Sequence, residues 1–183
     1  EAMQNAVPKG IGGMVAILGT SIKNIENMLE DNKDDFNIQI ANDNSDSQIV
    51  VSGKLSDLDK FVEILKAQGI KNIKLPVSAP FHSELMGNAT KIMRDEINKI
   101  DFINGYNVLM SNVTADKMKE TSEMKDLLIK QIESRVRWRE SVINMINKGT
   151  THFVEIGPGK VLSGLVKRIN NEVKINSINN FQK

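Results

Sequence analysis

Residues 13–76 read GMVAILGTSIKNIENMLEDNKDDFNIQIANDNSDSQIVVSGKLSDLDKFVEILKAQGIKNIKLP, and this stretch decides the fold prediction. It opens with an apolar run at 14–18, closed by Gly19, which is typical of a buried strand. Ser21 can then cap a helix, because apolar residues recur after it at helical spacing. The stretch therefore begins with a strand followed by a helix.

Two short strands are predicted next, at 37–41 and 48–52. The residues between them, 42–47, are all Asn, Asp or Ser. These side chains form hydrogen bonds that stabilise turns, and Asn and Asp tolerate a positive φ. We therefore predict that the two strands are joined by a polar turn.

A second helix is predicted from Ser56, where Ser56 and Asp59 approximate a capping box. Gly69 ends this helix, and 70–75 is predicted to be another strand. The order strand, helix, strand, strand, helix, strand is that of the split βαβ, or ferredoxin-like, unit. We assign this unit to 13–76.

The remainder of the chain alternates helices with short strands, as α/β proteins do. Pro80 places a loop at 77–82, because a residue that precedes proline avoids the helical conformation. This half has too few strands to form a doubly wound sheet by itself. The elements predicted after the loop are a helix at 83–100, a strand at 108–111, helices at 123–134 and 139–148, a strand at 152–156, a helix at 161–170 and a strand at 173–178.

The composition argues against several classes of function. The 183 residues carry 24 Lys+Arg against 23 Asp+Glu, so the net charge of +1 lacks the basic excess of nucleic-acid-binding proteins. The chain has no cysteine, and its two histidines, His82 and His152, are far apart in sequence, which disfavours a metal centre. We expect no metal, no cofactor and no nucleic-acid partner.

The sequence shows no sign of a membrane segment. No stretch approaches the roughly 20 apolar residues of a membrane-spanning helix, and the first residues lack the pattern of a signal peptide. The expected compartment is the cytoplasm. The chain starts at Glu1 without an initiator methionine, and we expect that a preceding segment is missing.

His82 is the histidine that the sequence favours for catalysis. It lies in a loop directly after a predicted strand, where a rigid scaffold presents side chains, and imidazole exchanges a proton near neutral pH. A solvated or capping role is the alternative, and a structural role is expected for His152. The closest match to a Gly-x-Ser-x-Gly nucleophile elbow, GTSIK at 19–23, lacks the last glycine. The candidate base therefore has no visible nucleophile in this chain.

Five motifs occur in the order of one known family. They read MQNAVP at 3–8, QIVVSG at 48–53, VSAPFHS at 77–83, VRW at 136–138 and EIGPGKVLSGL at 155–165. Together they resemble the bacterial malonyl-CoA:acyl-carrier-protein transacylases of type II fatty acid synthesis, over essentially the whole chain. Each motif alone is weak, and the order of all five makes the resemblance strong.

The resemblance implies a fold and a reaction. That family inserts a ferredoxin-like subdomain in a larger α/β-hydrolase-like subdomain. The implied division is a helix end and linker at 1–12, the ferredoxin-like subdomain at 13–76 and the C-terminal part of the large acyltransferase subdomain at 77–183. The family's enzymes move a malonyl group from malonyl-CoA, through a serine ester, to the phosphopantetheine thiol of acyl carrier protein, while a histidine takes and returns the proton.

The resemblance also implies roles for individual residues. His82 matches the catalytic histidine, and Gln131 matches a position whose backbone carbonyl orients that ring, the task of Asp in the usual triad. Phe81 matches an aromatic position associated with malonyl selection, because a ring there crowds an α-methyl branch.

Three further residues, Asn44, Gln48 and Asn112, match polar positions that line or brace the family's pocket. Hydrogen bonding in turns and at strand ends explains them equally well. The family's serine elbow, its oxyanion-hole glutamine and its malonate-binding arginine all match sequence upstream of Glu1. We therefore expect the chain as given to be inactive alone.

A basic helix face adds a weaker signal. Lys160, Lys167 and Arg168 are spaced i, i+7 and i+8, so they share one face of a predicted helix, and acyl carrier protein is acidic. They are candidates for carrier-protein docking, and a merely solvated face is the favoured alternative. The rival to an enzyme is a non-catalytic module that binds acyl carrier protein or a small ligand.

Overall fold

The computed structural model of the chain describes residues 3, 6–8, 10–103, 107–118 and 120–179. Of the helix end and linker predicted at 1–12, residues 1, 2, 4, 5 and 9 lie outside the described residues. The described strands are β1 (Gly12–Leu18), β2 (Ile38–Ser45), β3 (Gln48–Lys54), β4 (Lys71–Lys74), β5 (His152–Ile156) and β6 (Lys174–Ile178). The described helices are α1 (Ile22–Asp31), α2 (Leu55–Ala67), a 3-10 turn (Glu84–Met86), α3 (Gly87–Asn98), α4 (Thr121–Gln131), α5 (Trp138–Asn147) and α6 (Val161–Ile169).

Strands β1 to β4 form an antiparallel sheet in the order β2-β3-β1-β4. Near the middle of the sheet, Val15 of β1 lies opposite Val51 of β3 on one side and Lys74 of β4 on the other. The elements over 13–76 follow the predicted order of strand, helix, strand, strand, helix, strand. Local periodicity was therefore enough to locate these elements.

One face of this sheet is covered by α1 and α2. Each helix turns its apolar stripe onto the sheet, where Ile25 of α1 and Phe61 of α2 are fully buried. The ring centroids of Phe36 and Phe61 are 5.5 Å apart in a tilted arrangement, which is favourable for aromatic pairs. The buried residues of this core are Val15, Ile17, Ile25, Met28, Phe36, Ile38, Ile49, Val51, Leu58, Phe61, Val62 and Leu65.

The two predicted helix caps have different outcomes. Ser21 caps α1 as predicted, since its Oγ accepts a hydrogen bond from the Asn24 amide at 3.2 Å. The capping box of Ser56 and Asp59 is wrong, because α2 begins one residue earlier and has no side-chain cap. Asp59 instead forms an ion pair with Lys74 of β4.

The polar turn predicted at 42–47 is mostly strand. β2 continues to Ser45, and its register against β3 shifts twice, once just after Asp43. The strand continues because Asn42, Asp43 and Ser45 still pair with β3, and another segment also pairs with the outer edge of β2. The Val136 amide donates to the Ala41 carbonyl at 2.8 Å, and the Val136 carbonyl accepts from the Asp43 amide at 2.9 Å.

A buried ion pair joins the same strand to α5. The carboxylate of Asp43 is fully buried, and Arg139 donates to both of its oxygens, with Nε 3.0 Å from Oδ1 and Nη2 2.9 Å from Oδ2. These hydrogen bonds raise the pKa of the Arg139 guanidinium, although its burial acts in the opposite direction. Asp43 and Arg139 thus hold the sheet against the second half of the chain.

The second half follows the predicted order with one exception. The strand predicted at 108–111 is wrong, because the described residues there form a single bridge, between Met110 and Lys117. The helix predicted at 83–100 begins as a 3-10 turn before α3. β5 and β6 pair in parallel, and α6 connects them along the chain.

Among the described residues, no helix combines the length and the apolar character needed to cross a membrane.

Candidate active site

The loop that carries His82 is held from several sides. Pro80 lies against Gly12 of β1, and a Cβ added to Gly12 would lie 2.5 Å from the proline Cδ, so this close approach requires glycine. Ser83 Oγ donates to the Pro80 carbonyl at 2.7 Å. His82 itself has a φ of 58°, in the left-handed region that few non-glycine residues occupy. Such a conformation persists only where the surroundings stabilise it.

The His82 ring is oriented by a backbone carbonyl. Nδ1 lies 2.9 Å from the carbonyl oxygen of Gln131, the last residue of α4. A carbonyl oxygen only accepts hydrogen bonds, so Nδ1 carries the proton and donates it. Nε2 then keeps its lone pair and is the ring atom that can accept a proton.

The Gln131 carbonyl can serve this purpose because α4 ends there. The last carbonyls of a helix have no partner in a following turn. The Gln131 side chain lies farther from the ring, with Nε2 3.5 Å from His82 Nδ1 and 3.4 Å from the Ser134 carbonyl. The shorter contact identifies the carbonyl as the ring's partner. It orients the imidazole without placing a charge beside it.

His82 lines an open groove of about 640 Å³ between α1, the start of β2 and the segment 133–135. Its walls combine aliphatic and charged side chains, and Arg135 forms an ion pair with Glu26 at 3.0 Å. This His82 groove connects the ring with solvent. It is lined by Glu26, Leu29, Glu30, Lys33, Ile38, Gln39, Ile40, His82, Glu133, Ser134 and Arg135.

Phe81 is half-buried and packs between two apolar clusters. It contacts the cluster that contains Val50 of the sheet. It also contacts the cluster of Met86, Ala89 and Ile132. The ring therefore joins the sheet to α3 and to the end of α4, and its role in acyl selection stays a prediction.

The three predicted pocket residues are not among the described residues that line the His82 groove. Asn44 is half-buried in β2. Gln48, at the start of β3, accepts a hydrogen bond at Oε1 from Arg168 Nη1 at 3.0 Å. The backbone carbonyl of Asn112 accepts from an amide just before α5 at 2.9 Å. Within this chain they do not surround His82, and their role in a pocket stays a prediction.

The predicted docking residues separate into two places. Lys160 and Lys167 line a second groove, of about 700 Å³, between α6 and β6. Arg168 instead contacts Gln48, so its guanidinium joins α6 to the hairpin of β2 and β3. Lys160 and Lys167 of the basic face thus line an open groove, and Arg168 forms an intramolecular hydrogen bond at the surface.

His152 has a partner across the parallel pair of strands. Its Nε2 lies 2.7 Å from Oδ1 of Asn176, so the side chain links β5 to β6.

Among the described residues, no group of His, Asp and Glu side chains could hold a metal ion.

Glu155 has a structural role that its local sequence does not indicate. Its carboxylate accepts hydrogen bonds from the Leu162 amide at 3.1 Å and the Ser163 amide at 2.7 Å, at the start of α6. Hydrogen bonds from Ser163 above all lower the pKa of Glu155. An acidic residue next to a helix N-terminus is the usual sequence signal for such a cap. The Gly-Pro-Gly turn at 157–159 separates Glu155 from α6 in the sequence, and this separation hides the signal.

The acyl transferase domain family matches residues 1–178 of the chain. The chain belongs to this family. A Bacillus subtilis (strain 168) member named malonyl CoA-acyl carrier protein transacylase is 42% identical over 176 residues, which are 95% of this chain and 56% of the relative. The protein of that name from Staphylococcus aureus (strain MSSA476) is 38% identical over 184 residues, 100% of this chain and 60% of the relative. This acyl transferase chain thus spans 56% to 60% of the length of these relatives.

Solved structures of similar proteins share the mixed α/β fold of this acyl transferase chain. The malonyl CoA-acyl carrier protein transacylase of Clostridium perfringens matches with a TM-score of 0.94 at 39% identity, over 98% of this chain and 57% of that one. The acyl-carrier-protein-S-malonyltransferase of Bartonella henselae matches with a TM-score of 0.93 at 37% identity, over 98% and 57%. A malonyl-transacylase in complex with its type II PKS acyl-carrier protein matches with a TM-score of 0.92 at 30% identity, over 98% and 59%.

Proposed function

We propose that the protein containing this chain transfers a malonyl group from malonyl-CoA to the phosphopantetheine thiol of acyl carrier protein, in the cytoplasm and for fatty acid biosynthesis. The observation that carries the proposal is the 2.9 Å contact between His82 Nδ1 and the Gln131 carbonyl, which leaves Nε2 to act as a general base. The names of the similar transacylases support the malonyl donor and the acyl carrier.

In the first half-reaction, a serine that the resemblance places ahead of this chain attacks the thioester carbonyl of malonyl-CoA. His82 Nε2 takes the serine proton as the new C–O bond forms, and gives it to the coenzyme A sulfur as the C–S bond breaks. The Gln131 carbonyl accepts from Nδ1–H in both charge states of the ring and so stabilises the imidazolium. The products are a malonyl-serine ester and free coenzyme A.

In the second half-reaction, the phosphopantetheine thiol gives its proton to Nε2 as its sulfur attacks the serine ester. The proton returns to the serine oxygen when the ester C–O bond breaks, so serine and neutral His82 are regenerated. The same base therefore serves both halves, and the chemistry needs no group beyond the two substrates and the protein.

The proposal assigns the other predicted residues to binding. Phe81, Asn44, Gln48 and Asn112 would shape the acyl pocket, and the basic residues would attract the acidic carrier protein. Because Arg168 already donates to Gln48, a carrier bound at Arg168 would lie beside a residue proposed for the pocket. The proposed docking residues are Lys160, Lys167 and Arg168.

We also propose the division into a ferredoxin-like subdomain at 13–76 and part of a larger acyltransferase subdomain at 77–183. The antiparallel sheet with α1 and α2 on one face supports the first part. On the parallel pair β5 and β6, Val154, Ile156 and Ile178 are 45%, 64% and 42% exposed. Parallel strands are normally covered on both faces, so these exposed side chains fit a sheet face that other parts of the protein cover.

The test is malonyl transfer to acyl carrier protein by the product of the gene's full reading frame. His82→Ala should lower kcat by about 10²- to 10⁴-fold, the usual cost of losing a general base. His152→Ala is the matched control and should keep wild-type kcat, because His152 is exposed and its partner is Asn176. Wild-type transfer by His82→Ala would overturn the proposal, and carrier binding without transfer by the unmodified protein would favour a binding module.

A further inference from the structure

A glutamine on the sheet contacts the loop that carries His82. Gln39 lies in β2, and its side-chain Oε1 accepts a hydrogen bond from the backbone amide of Glu84 at 2.7 Å, across 45 residues of sequence. Gln39 and His82 also line the same groove. The contact therefore connects a rigid strand with the backbone two residues after His82.

The Glu84 amide needs an acceptor from outside its own turn. Glu84 begins the 3-10 turn that precedes α3, and the first amides of a helix have no partner within it. Ser83, the residue before it, makes no side-chain capping hydrogen bond to the described turn, and its hydroxyl donates to the Pro80 carbonyl at 2.7 Å. Gln39 supplies the missing acceptor.

His82 lies between two fixed points. Its ring is held through Nδ1 by the Gln131 carbonyl at 2.9 Å. Its backbone adopts a φ of 58° and leads directly into the 3-10 turn, where the Glu84 amide donates a hydrogen bond to Gln39. A left-handed histidine relaxes to an ordinary conformation when the contacts that stabilise it are removed, and such a relaxation would move the ring relative to the Gln131 carbonyl.

We propose that Gln39 is a positioning residue for His82, acting through the Glu84 amide. This inference rests on the proposed function, in which His82 Nε2 is the general base. Gln39 neither carries the proton nor touches the reacting atoms. It keeps the loop backbone in the conformation that directs Nδ1–H to the Gln131 carbonyl and so leaves Nε2 unprotonated in the neutral ring.

The first test reads the tautomer of His82 by ¹⁵N nuclear magnetic resonance in the product of the full reading frame. Gln39→Leu removes the acceptor at similar size, and Gln39→Glu retains an acceptor oxygen. Ring signals are assigned with His82→Ala and His152→Ala. Gln39→Leu should convert the Nδ1–H form of neutral His82 into a mixture of tautomers, Gln39→Glu should restore the wild-type form, and His152 should not change in either variant.

The second test measures malonyl transfer by the same variants. Gln39→Leu should lower kcat by about 10-fold or more, the scale expected when a catalytic group is displaced by part of an ångström, with KM unchanged and with rescue by Gln39→Glu. Gln39→Met replaces Gln39→Leu if the leucine variant does not fold.

The outcomes separate this inference from the proposed function. An unchanged His82 tautomer in Gln39→Leu, or a Gln39→Glu variant as defective as Gln39→Leu, would overturn the positioning role. Absence of malonyl transfer in the unmodified protein would overturn the proposed function, and the resonance comparison would still decide the role of Gln39.

Discussion

Breaking the ion pair between Asp43 and Arg139 should strongly destabilise the fold. The Asp43 side chain is 0% exposed and the Arg139 side chain 20% exposed, and the pair joins β2 to α5. Removal of one partner from a buried pair typically costs about 3–5 kcal/mol, because the other charge stays buried without compensation. Arg139 keeps some solvent and a second contact, with Asp46 at 3.4 Å, so we expect Asp43→Leu to cost about 3 kcal/mol, at the lower end of that range.

The converse change and the double change make this magnitude testable. Arg139→Leu leaves a fully buried carboxylate and should cost about 3–5 kcal/mol. The double variant leaves no buried charge, and replacing both members of such a pair by apolar residues is often close to neutral. We therefore expect Asp43→Leu with Arg139→Leu to be within about 1 kcal/mol of the unmodified protein, far from the sum of the single changes.

The assay is equilibrium urea unfolding at neutral pH, followed by far-ultraviolet circular dichroism. Asp43→Asn is a further control, since it keeps the size of the side chain and removes the charge. A cost below about 0.5 kcal/mol for Asp43→Leu, the range of ordinary surface substitutions, would show that Arg139 is not left as an uncompensated buried charge. A double variant as unstable as the two single changes added together would show that the two charges are not coupled.

Two further predictions concern other contacts around the candidate site. Glu140 accepts a hydrogen bond from Arg137 Nε at 2.9 Å, and this pairing lowers the pKa of Glu140. Because the pKa is lower in the folded state, the pairing stabilises the fold above the ordinary glutamate pKa. This stabilisation is lost as the pH falls through the lowered pKa. Glu140→Gln should therefore cost about 1 kcal/mol in urea unfolding at neutral pH, and a difference that does not close in acid would contradict this account. Gly12→Ala places a Cβ 2.5 Å from Pro80 Cδ and should cost about 1–3 kcal/mol in the same assay, with a parallel loss of the malonyl transfer that we propose for the protein. Gly164→Ala, where a Cβ would meet none of the described residues within 4 Å, is the control and should be neutral or slightly stabilising.

The sequence predicted the fold best where its information is local. The strands and helices of 13–76 follow from apolar periodicity and from turn residues a few positions apart. The turn at 42–47 was misjudged because β2 keeps pairing with β3 as far as Ser45 and is also bound at its outer edge by Val136, which is distant in sequence. The strand at 108–111 was misjudged because an apolar run forms a strand only where another strand pairs along it, and the described residues there form a single bridge with Lys117.

The candidate site was predicted less completely, and for the same reason. Local context favoured His82, and only the family resemblance suggested the Gln131 carbonyl, 49 residues away in sequence. Neither source indicated Gln39, whose contact spans 45 residues, or Arg139, which pairs with Asp43 across 96 residues. Side-chain contacts between distant segments leave no periodic pattern in a single sequence.

The segment 131–139 connects the stability of the fold to the orientation of the candidate base. It begins at the carbonyl that holds the His82 ring, continues through Val136 at the edge of β2 and ends at Arg139 on the buried carboxylate of Asp43. Because these contacts lie on one short stretch of chain, a change that loosens its Arg139 end also loosens the position of its Gln131 end. Asp43→Leu should therefore disturb the tautomer of His82 as well as lower stability, and the double variant with Arg139→Leu should restore stability more completely than it restores the tautomer.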